Sequence, residues 1–333
     1  MFGRGYQFWM DGIHATGLIK VSKNPKVLDR GGFWVVLTTF EGEMKFAKFR
    51  RVRAAQFPPH DWIPLEGHWK STLSKSGYIS YVEKVRSAIE KGGVYQVNAC
   101  RQLFIRASHK RIKLSGLFSH LLRENPAPFA SYLSIPGLEV ASASPERFLS
   151  RNGQQIKTSP IKGTIREDEN SFGEKDKAEN LMIVDLMRND LSQVCEPGTV
   201  EVAQLFREEK HPGITHLVSD VEGTLKAGVK WSEILKATTP PGSVSGAPKS
   251  AALEIIEANE SARGPYCGAI GWIYGDRAEL AVGIRTFWSE EDSILRFGTG
   301  AGITWGSQSD AEWEETQLKA RKLISIAGGV LSQ

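Results

Sequence analysis

Cysteine is scarce in this sequence of 333 residues, and the placement of its cysteines does not suit a disulfide scaffold. The three cysteines, Cys100, Cys195 and Cys267, are odd in number and far apart, and no two of them form a C-x-x-C pair. This pattern argues against a disulfide framework and favours reduced thiols in a cytoplasmic protein. His211 and His216 are close in sequence, but no cysteine pair accompanies them, so a zinc site is disfavoured.

Long apolar runs and long basic runs are also missing. No apolar stretch approaches the length needed to span a membrane, and the start, MFGRGYQFWMDGIH, lacks the apolar core of a signal peptide. The net charge is only +4, and the densest basic patch, KFRRVR at 48–53, lies in a strand-like stretch. We therefore expect neither a membrane nor a nucleic acid as a partner.

The order of secondary-structure signals favours an α+β fold. Strands and helices alternate in groups, without the regular β-α-β period of a doubly wound sheet. Local sequence signals predict helices within 78–91, 115–125, about 174–191, 231–239 and 245–261 and near the end of the chain, with Pro126 and Pro240 ending the second and the fourth. Residues 1–65 form a β-rich segment that we expect to pack on the remainder of the chain, residues 66–333.

Two acidic pairs stand near the starts of predicted helices. Asp176 and Glu179 lie in KDKAENLMIVDL, and Glu312 and Glu315 lie in SDAEWEETQLKA. Residues three apart share a helix face, so four carboxylates would converge if the helices meet, and oxygen-only ligation suits Mg²⁺. A second interpretation is open, because Asp176-x-x-Glu179 and Ser309-x-x-Glu312 also fit capping boxes, and spacing alone favours capping.

Three glycine-rich stretches, at 160–164, 242–250 and 298–302, could expose backbone amides to an anion. The stretch at 242–250 fails the spacing of a phosphate loop, and Pro248 removes a backbone donor, so tight turns are the simpler interpretation. Lys162 lies in a sparsely charged part of the first stretch, where a desolvated lysine can act as a nucleophile. Glu146, in SASPERF, could serve as a general acid beside a pocket. Composition alone favours solvated side chains for both.

The motifs become specific when they are taken in order. They are SASPERF, SPIKGTIRE, KDKAENLMIVDLMRNDL, HLVSDVEGTL, GSVSGAPK, RGPYCGAIGW, AVGIRTF, GTGAGIT and EWEETQLKA. In this order the chain resembles the chorismate-utilising enzymes, which include anthranilate synthase, aminodeoxychorismate synthase, and isochorismate and salicylate synthases. The resemblance implies two largely antiparallel β-sheets packed together with helices outside. It also implies that residues 66–333 form a chorismate-binding catalytic core.

Two positions sort the reactions within this family. Isochorismate and salicylate synthases have a water-activating lysine where this chain has Gln96, so the resemblance disfavours water as the nucleophile. Anthranilate synthases typically have alanine where this chain has Lys162, and the lysine form is similar to aminodeoxychorismate synthase component I. The implied reaction is Mg²⁺-dependent amination of chorismate at C4, giving 4-amino-4-deoxychorismate for 4-aminobenzoate and folate biosynthesis.

The resemblance also implies roles for individual residues. Lys162 would attack C2 of the ring, Glu146 would protonate the departing C4 hydroxyl, and His216 would lie near that hydroxyl. Glu179 and Glu315, with Asp176 and Glu312 directly or through water, would hold Mg²⁺. The implied substrate contacts are Gln96, Ser243, Tyr266, Arg285, Gly300, Ala301, Gly302 and Lys319.

The sequence contains no cysteine in the setting of a glutaminase nucleophile, so the resemblance implies a separate glutamine amidotransferase partner that supplies ammonia. Three alternatives remain open at this point. The chain could be an anthranilate synthase component I, a chorismate-binding relative that has lost its activity, or a non-catalytic phosphate- or nucleotide-binding module. The broken phosphate-loop spacing disfavours the last, and the complete set of expected site residues disfavours the second.

Overall fold

A computed structural model describes residues 5–107, 112–166, 171–211 and 214–331. The α+β class is confirmed. The six helices of the described residues are α1 Lys75–Glu90, α2 Ser115–Glu124, α3 Glu174–Ser192, α4 Trp231–Thr238, α5 Lys249–Asn259 and α6 Ser309–Ala327. Short 3-10 turns cover Pro25–Arg30 and Gly242–Val244.

The strands fall into an N-terminal, a middle and a C-terminal group. The N-terminal strands are β1 Gln7–Met10, β2 Ile13–Ser22, β3 Phe33–Thr38, β4 Met44–Ala54, β5 Leu65–Ser71 and β6 Gln96–Arg106. The middle strands are β7 Phe129–Ile135, β8 Leu138–Ser144, β9 Arg147–Asn152, β10 Gln155–Ser159, β11 Ile161–Arg166, β12 Glu201–His211 and β13 Ile214–Thr224. The C-terminal strands are β14 Gly246–Ala247, β15 Ala269–Tyr274, β16 Arg277–Val282, β17 Thr286–Glu290, β18 Ile294–Ile303 and β19 Gly328–Leu331.

Antiparallel ladders join these strands into a continuous series. It runs from β6 through β18, β17, β8, β7, β1, β2, β4, β3, β15, β16, β9 and β10 to β13, which also pairs with β11 and β12. Within the described residues the pairing of β19 with β5 is the parallel exception. The N-terminal strands therefore pair directly with strands from the middle and the end of the chain.

Local sequence explains where the helices begin and which face they bury. Helix α1 starts after Ser74, whose hydroxyl accepts a hydrogen bond from the Gly77 amide at 3.1 Å. Its buried residues, Tyr78, Tyr81, Val82 and Val85, recur at the i, i+3, i+4, i+7 spacing of an apolar stripe. After the helix, Gly92 has φ of +74°, a conformation that glycine adopts without strain.

Two apolar clusters form the core. The larger one brings strands β3, β15 and β16 together with helices α1, α3, α4 and α5. The smaller one joins α2 and α6 to aromatic residues of several strands, among them Trp69, Tyr132, Phe287 and Phe297. Helix α6 packs along β18, and α3 packs against β13, so the two acidic helices are each held against a strand that carries predicted site residues.

Candidate active site

Lys162 and Ser243 come together although 81 residues separate them. Lys162 lies at the start of β11, and its Nζ donates a hydrogen bond to the Ser243 carbonyl at 2.9 Å. Ser243 is buried in the 3-10 turn Gly242–Val244. This turn is pressed onto α3, because a Cβ added at Gly242 would lie 2.2 Å from Met187 Cε. The glycine there permits the close approach that brings the turn to Lys162.

Glu146 is the buried acid beside this amine. It follows β8, and only 4% of its surface is exposed. Its carboxylate takes hydrogen bonds from the Ser243 side chain and from the Ile161 backbone. Glu146 and Lys162 therefore share Ser243 as a common neighbour, through its side chain and its carbonyl respectively.

The two groups are tuned in opposite directions. Burial raises the pKa of Glu146 to about 7, against the smaller opposing effects of Ser243 and the Lys162 charge. Burial lowers the pKa of Lys162, while the carboxylates of Glu146, Glu179 and Glu315 act in the other direction. Burial therefore favours the neutral form of each group, a carboxylic acid and an amine, which are the forms that acid and nucleophilic catalysis need.

Helix α3 presents Asp176 and Glu179 differently. Asp176 Oδ2 accepts a hydrogen bond from the Gly173 amide at 3.1 Å, so Asp176 completes a cap that begins at Gly173. A capping box from Asp176 to Glu179 was expected, and this expectation is wrong because the helix begins two residues earlier, at Glu174. Glu179 is partly exposed and close enough to Lys162 for its charge to affect the lysine pKa.

Helix α6 presents Glu315 and Lys319 on one side. Lys319 Nζ lies 2.6 Å from Glu315 Oε1 and donates a hydrogen bond to the Gly300 carbonyl at 3.1 Å. The charges of both Glu315 and Lys319 act on Lys162. Glu312 is buried, and its charge acts on Tyr78 of α1 instead.

The expected capping box from Ser309 to Glu312 is also wrong. Ser309 lies inside the helix, after the cap residue Gln308, and its hydroxyl donates to Glu83 of α1 at 2.7 Å. The Glu312 amide donates to the Gln308 carbonyl at 2.9 Å. The serine therefore links α6 to α1 and does not cap its own helix.

The carboxylates can be tested for their fit to a metal ion. Within the described part of the chain, no three or more histidine, cysteine, aspartate or glutamate side chains are grouped so as to hold a metal. Glu179 and Glu315 both act on Lys162, whereas Asp176 caps its helix and Glu312 is buried. Mg²⁺ is usually bound by one or two carboxylates together with waters and substrate oxygens, so the pair Glu179 and Glu315 fits it.

Gln96 is buried, and both polar atoms of its side chain lack protein partners. It begins β6, only 2% of its surface is exposed, and neither its Oε1 nor its Nε2 has a hydrogen-bond partner. A Cβ added at Gly302 would lie 2.5 Å from Gln96 Nε2, so that glycine makes room for the amide. Buried amide groups left unpaired are costly, so Gln96 offers one acceptor and one donor group that a polar ligand could satisfy.

Gly300, Ala301 and Gly302 lie in β18 opposite residues 98–100 of β6. On the same strand, a Cβ at Gly298 would lie 2.0 Å from Tyr266 Cγ, so the tyrosine ring lies flat over glycine backbone. The Tyr266 hydroxyl is 3.8 Å from Cys100 Sγ, and burial raises the pKa of this tyrosine. Tyr266 therefore stays neutral and can act as a hydrogen-bond donor.

Arg285 and His216 are the two predicted site residues that remain. Arg285 has a backbone φ of +50°. Burial lowers the pKa of its guanidinium. Backbone strain of this kind tends to persist at functional sites. His216 is buried in β13, opposite Thr164 of β11 and therefore near the segment that carries Lys162.

Two buried ion pairs near the site were not anticipated. Lys249 Nζ lies 2.5 Å from Asp190 Oδ2, joining α5 to α3. Arg263 is 1% exposed and pairs with Glu260, while also donating to the carbonyls of Asn98 and Val244. The lysine stands in the GSVSGAPK motif and the arginine in RGPYCGAIGW, but no sequence periodicity shows that either is buried.

Comparison with known proteins finds relatives that carry two different enzyme names. An anthranilate synthase component 1 from Saccharolobus solfataricus is 39% identical over 273 residues, 78% of this chain and 64% of that protein. An aminodeoxychorismate synthase component 1 from Escherichia coli is 34% identical over 286 residues, 82% of this chain and 62% of that protein. The chain thus spans less than two thirds of the length of these curated relatives.

The fold is shared with a solved structure of lower identity. A putative 2,3-dihydroxybenzoate-specific isochorismate synthase from Bacillus anthracis superposes with a TM-score of 0.81 at 21% identity, covering 97% of this chain and 96% of that one. Among the residues that the structure describes, no helix combines the length and apolarity needed to cross a bilayer. The sequence pattern of the chorismate binding enzymes matches residues 36–325, and the chain belongs to that family.

Proposed function

We propose that this protein aminates chorismate at C4 to give 4-amino-4-deoxychorismate, as aminodeoxychorismate synthase component I does. The observation that carries the proposal is that Lys162 and the buried Glu146, whose pKa is raised by burial to about 7, both contact Ser243. An enzyme that uses ammonia alone to displace the hydroxyl has no need of a buried amine at this position. A covalent route through lysine needs both the amine and the neighbouring acid.

The side chains support a sequence of two displacements. The neutral Lys162 amine forms a bond to C2 of the ring, the ring double bond shifts, and the C4–O bond breaks while Glu146 gives its proton to the departing hydroxyl, which leaves as water. Ammonia then forms a bond to C4, the C2–N bond to Lys162 breaks, and the proton lost by the new amine returns to Glu146. The two steps together return Glu146 to its protonated form and Lys162 to the free amine, ready for the next turnover.

Glu179 and Glu315 would hold Mg²⁺, which when bound would neutralise a substrate carboxylate and orient the ring. Lys319 would add a second positive charge on the same side, since it lies beside Glu315 and Gly300. Asp176 and Glu312 would act around this pair through helix capping and packing. Arg285 and Tyr266 would hold the other carboxylate, with Arg285 offering a forked pair of donors.

Gln96 would shape the choice of nucleophile. An amide cannot serve as a general base at neutral pH, so water entering beside Gln96 would not be activated. Its unpaired carbonyl and amino group can instead accept from and donate to a small polar group. We further propose that a glutamine amidotransferase subunit supplies the ammonia and that the product serves 4-aminobenzoate and folate biosynthesis.

The test is product identification with chorismate, Mg²⁺ and ammonium. We expect 4-amino-4-deoxychorismate, which a lyase converts to 4-aminobenzoate. Lys162→Ala should lower its formation by at least about 100-fold, because the covalent route is lost. Lys157→Ala is the matched control, since that lysine of β10 pairs with Asp220 and Glu222 at 3.0 Å on another part of the sheet.

Fluorescent anthranilate as the product would overturn the proposal in favour of anthranilate synthase. Unchanged formation of 4-amino-4-deoxychorismate by Lys162→Ala would be consistent with the proposed reaction but would show that Lys162 is not the nucleophile. Thermal stabilisation by a nucleotide and not by chorismate would indicate the binding module instead.

A further inference from the structure

We propose that Asn180 is a positioning residue that fixes Glu179 against the strands carrying His216 and Lys162. Asn180 lies in α3 directly after Glu179, and none of its surface is exposed. The proposal rests on the proposed function in one respect, because it takes Glu179 as a cation ligand.

Both ends of the Asn180 amide are engaged by β13. Its Nδ2 donates a hydrogen bond to the Leu217 carbonyl at 3.3 Å, and its Oδ1 accepts one from the Ser219 hydroxyl at 2.5 Å. Leu217 follows His216 in the strand. A single side chain therefore ties the helix to β13 on both sides of residue 218, and each contact limits sliding of the helix along the strand.

Ser219 carries the connection on to the Lys162 segment. Its amide donates to the Pro160 carbonyl at 3.2 Å, two residues before Lys162. Its hydroxyl also accepts from the Phe206 amide of β12 at 3.1 Å. The hydroxyl is thus held from both sides, and Asn180 is connected to the backbone that presents the amine.

Because Asn180 is next to Glu179 in the helix, the contacts of Asn180 also set the orientation of Glu179. Neighbouring residues of a helix point about 100° apart, so Glu179 points to one side of the face that Asn180 packs against β13, and its charge reaches Lys162 of β11. A rotation or slide of α3 that broke the Asn180 contacts would move Glu179 by the same amount. Residues that orient a metal-binding carboxylate in this way commonly change metal affinity by about 10- to 100-fold when they are lost.

The experiment measures Mn²⁺ binding to the chain by electron paramagnetic resonance, without chorismate, and separately measures kcat and KM for chorismate. We expect Asn180→Ala to weaken Mn²⁺ binding by about tenfold or more. Ser219→Ala removes one of the two contacts and should weaken it less. The double variant should be no worse than the sum of the two, since both changes break the same connection.

Thr238→Ala is the control for loss of a buried polar group. Thr238 is 2% exposed, and its hydroxyl donates to the Ile234 carbonyl within α4. Thermal melts of all variants establish that the compared proteins are folded, and Asn180→Asp, which keeps the shape and one acceptor, replaces the alanine variant if that fails to fold.

Equal Mn²⁺ affinity in Asn180→Ala and Thr238→Ala would overturn the inference, as would a native chain that binds no Mn²⁺. Failure of the proposed function has a different signature. In that case the native chain would bind Mn²⁺ and lose affinity on Asn180→Ala, yet would form no 4-amino-4-deoxychorismate.

Discussion

Glu146 shows how one residue serves the reaction at a cost to the fold. Its carboxyl is 4% exposed, and burial raises its pKa to about 7 from the usual 4.5. Between pH 4.5 and 7 the folded chain therefore binds this proton while the unfolded chain releases it. The contribution of Glu146 to stability falls as the pH rises through that window, and above pH 7 the full penalty of a buried charge remains.

Replacing Glu146 by glutamine should separate these two effects. We expect Glu146→Gln to raise the free energy of unfolding at pH 8 by up to about 3 kcal/mol, the free energy that corresponds to raising the pKa from 4.5 to about 7. The gain should shrink at pH 5, and amination should fall at every pH. Urea unfolding at the two pH values checks the first part.

Glu83→Gln is the control for that measurement. Glu83 lies near the surface, and a hydrogen bond from Ser309 lowers its pKa, the opposite direction to Glu146. This variant should gain no stability at pH 8. An equal gain in both variants would show that net charge, and not the burial of Glu146, sets the effect.

The sequence singled out candidate site residues but not what surrounds them. Motif order singled out Glu146, Lys162 and Gln96, because these residue types carry recognisable chemistry. Their burial depends on Ser243 and Gly302, which arrive from distant segments by strand pairing and close packing. The caps of α3 and α6 were misassigned for a related reason, since i, i+3 spacing fits several starting residues within one turn.

At the scale of elements, α3 is the part that organises the site. One end carries Asp176 and Glu179, and the other carries Asp190, which pairs with Lys249 at the start of α5. Lys249 also donates to the Pro240 carbonyl at 3.1 Å. The turn that presents Ser243 to Lys162 lies in the chain between Pro240 and Lys249. The ion pair of Lys249 with Asp190 therefore holds this turn on the helix.

Removing one member of this pair should be worse than removing both. Lys249→Met leaves the Asp190 charge buried without its partner and should lower the free energy of unfolding by about 3 kcal/mol at pH 8. The double variant Asp190→Asn, Lys249→Met should recover most of this loss. The deficit of the single variant should shrink at pH 5, because Asp190, whose pKa is already raised by burial to about 6, then takes up a proton. Equal losses in the single and double variants, measured by urea unfolding, would contradict this account.

Helices were more predictable than the order of strands. Local sequence signals mark α1–α6 because the contacts that shape a helix are local. Strand partners are distant: β1 pairs with β7, and β3 pairs with β15. No local pattern specifies which edge a strand will meet, so the continuous ladder became known only from the structure.

At the scale of the whole molecule, the N-terminal strands complete the sheet that carries the site. Strand β3 covers one edge of β15, and β1 covers one edge of β7. The indole of Trp62 donates a hydrogen bond to the Ala327 carbonyl at 3.1 Å, which ties residues 1–65 to the end of α6. We therefore propose that residues 1–65 pack as an integral part of the catalytic core.

Deleting residues 1–65 should then prevent folding of the remainder. The deletion exposes the backbone edges of β15 and β7 and removes Phe8, Val35 and Phe46 from the larger apolar cluster, and unpaired apolar edges promote aggregation. We expect residues 66–333 alone to be insoluble or to lack a cooperative unfolding transition by circular dichroism. Trp62→Phe, which removes one hydrogen bond, should cost only about 1 kcal/mol and keep a single transition. A soluble 66–333 fragment that unfolds cooperatively would instead establish a separate domain, and the strands β1–β4 would then be an accessory to the site and not part of its foundation.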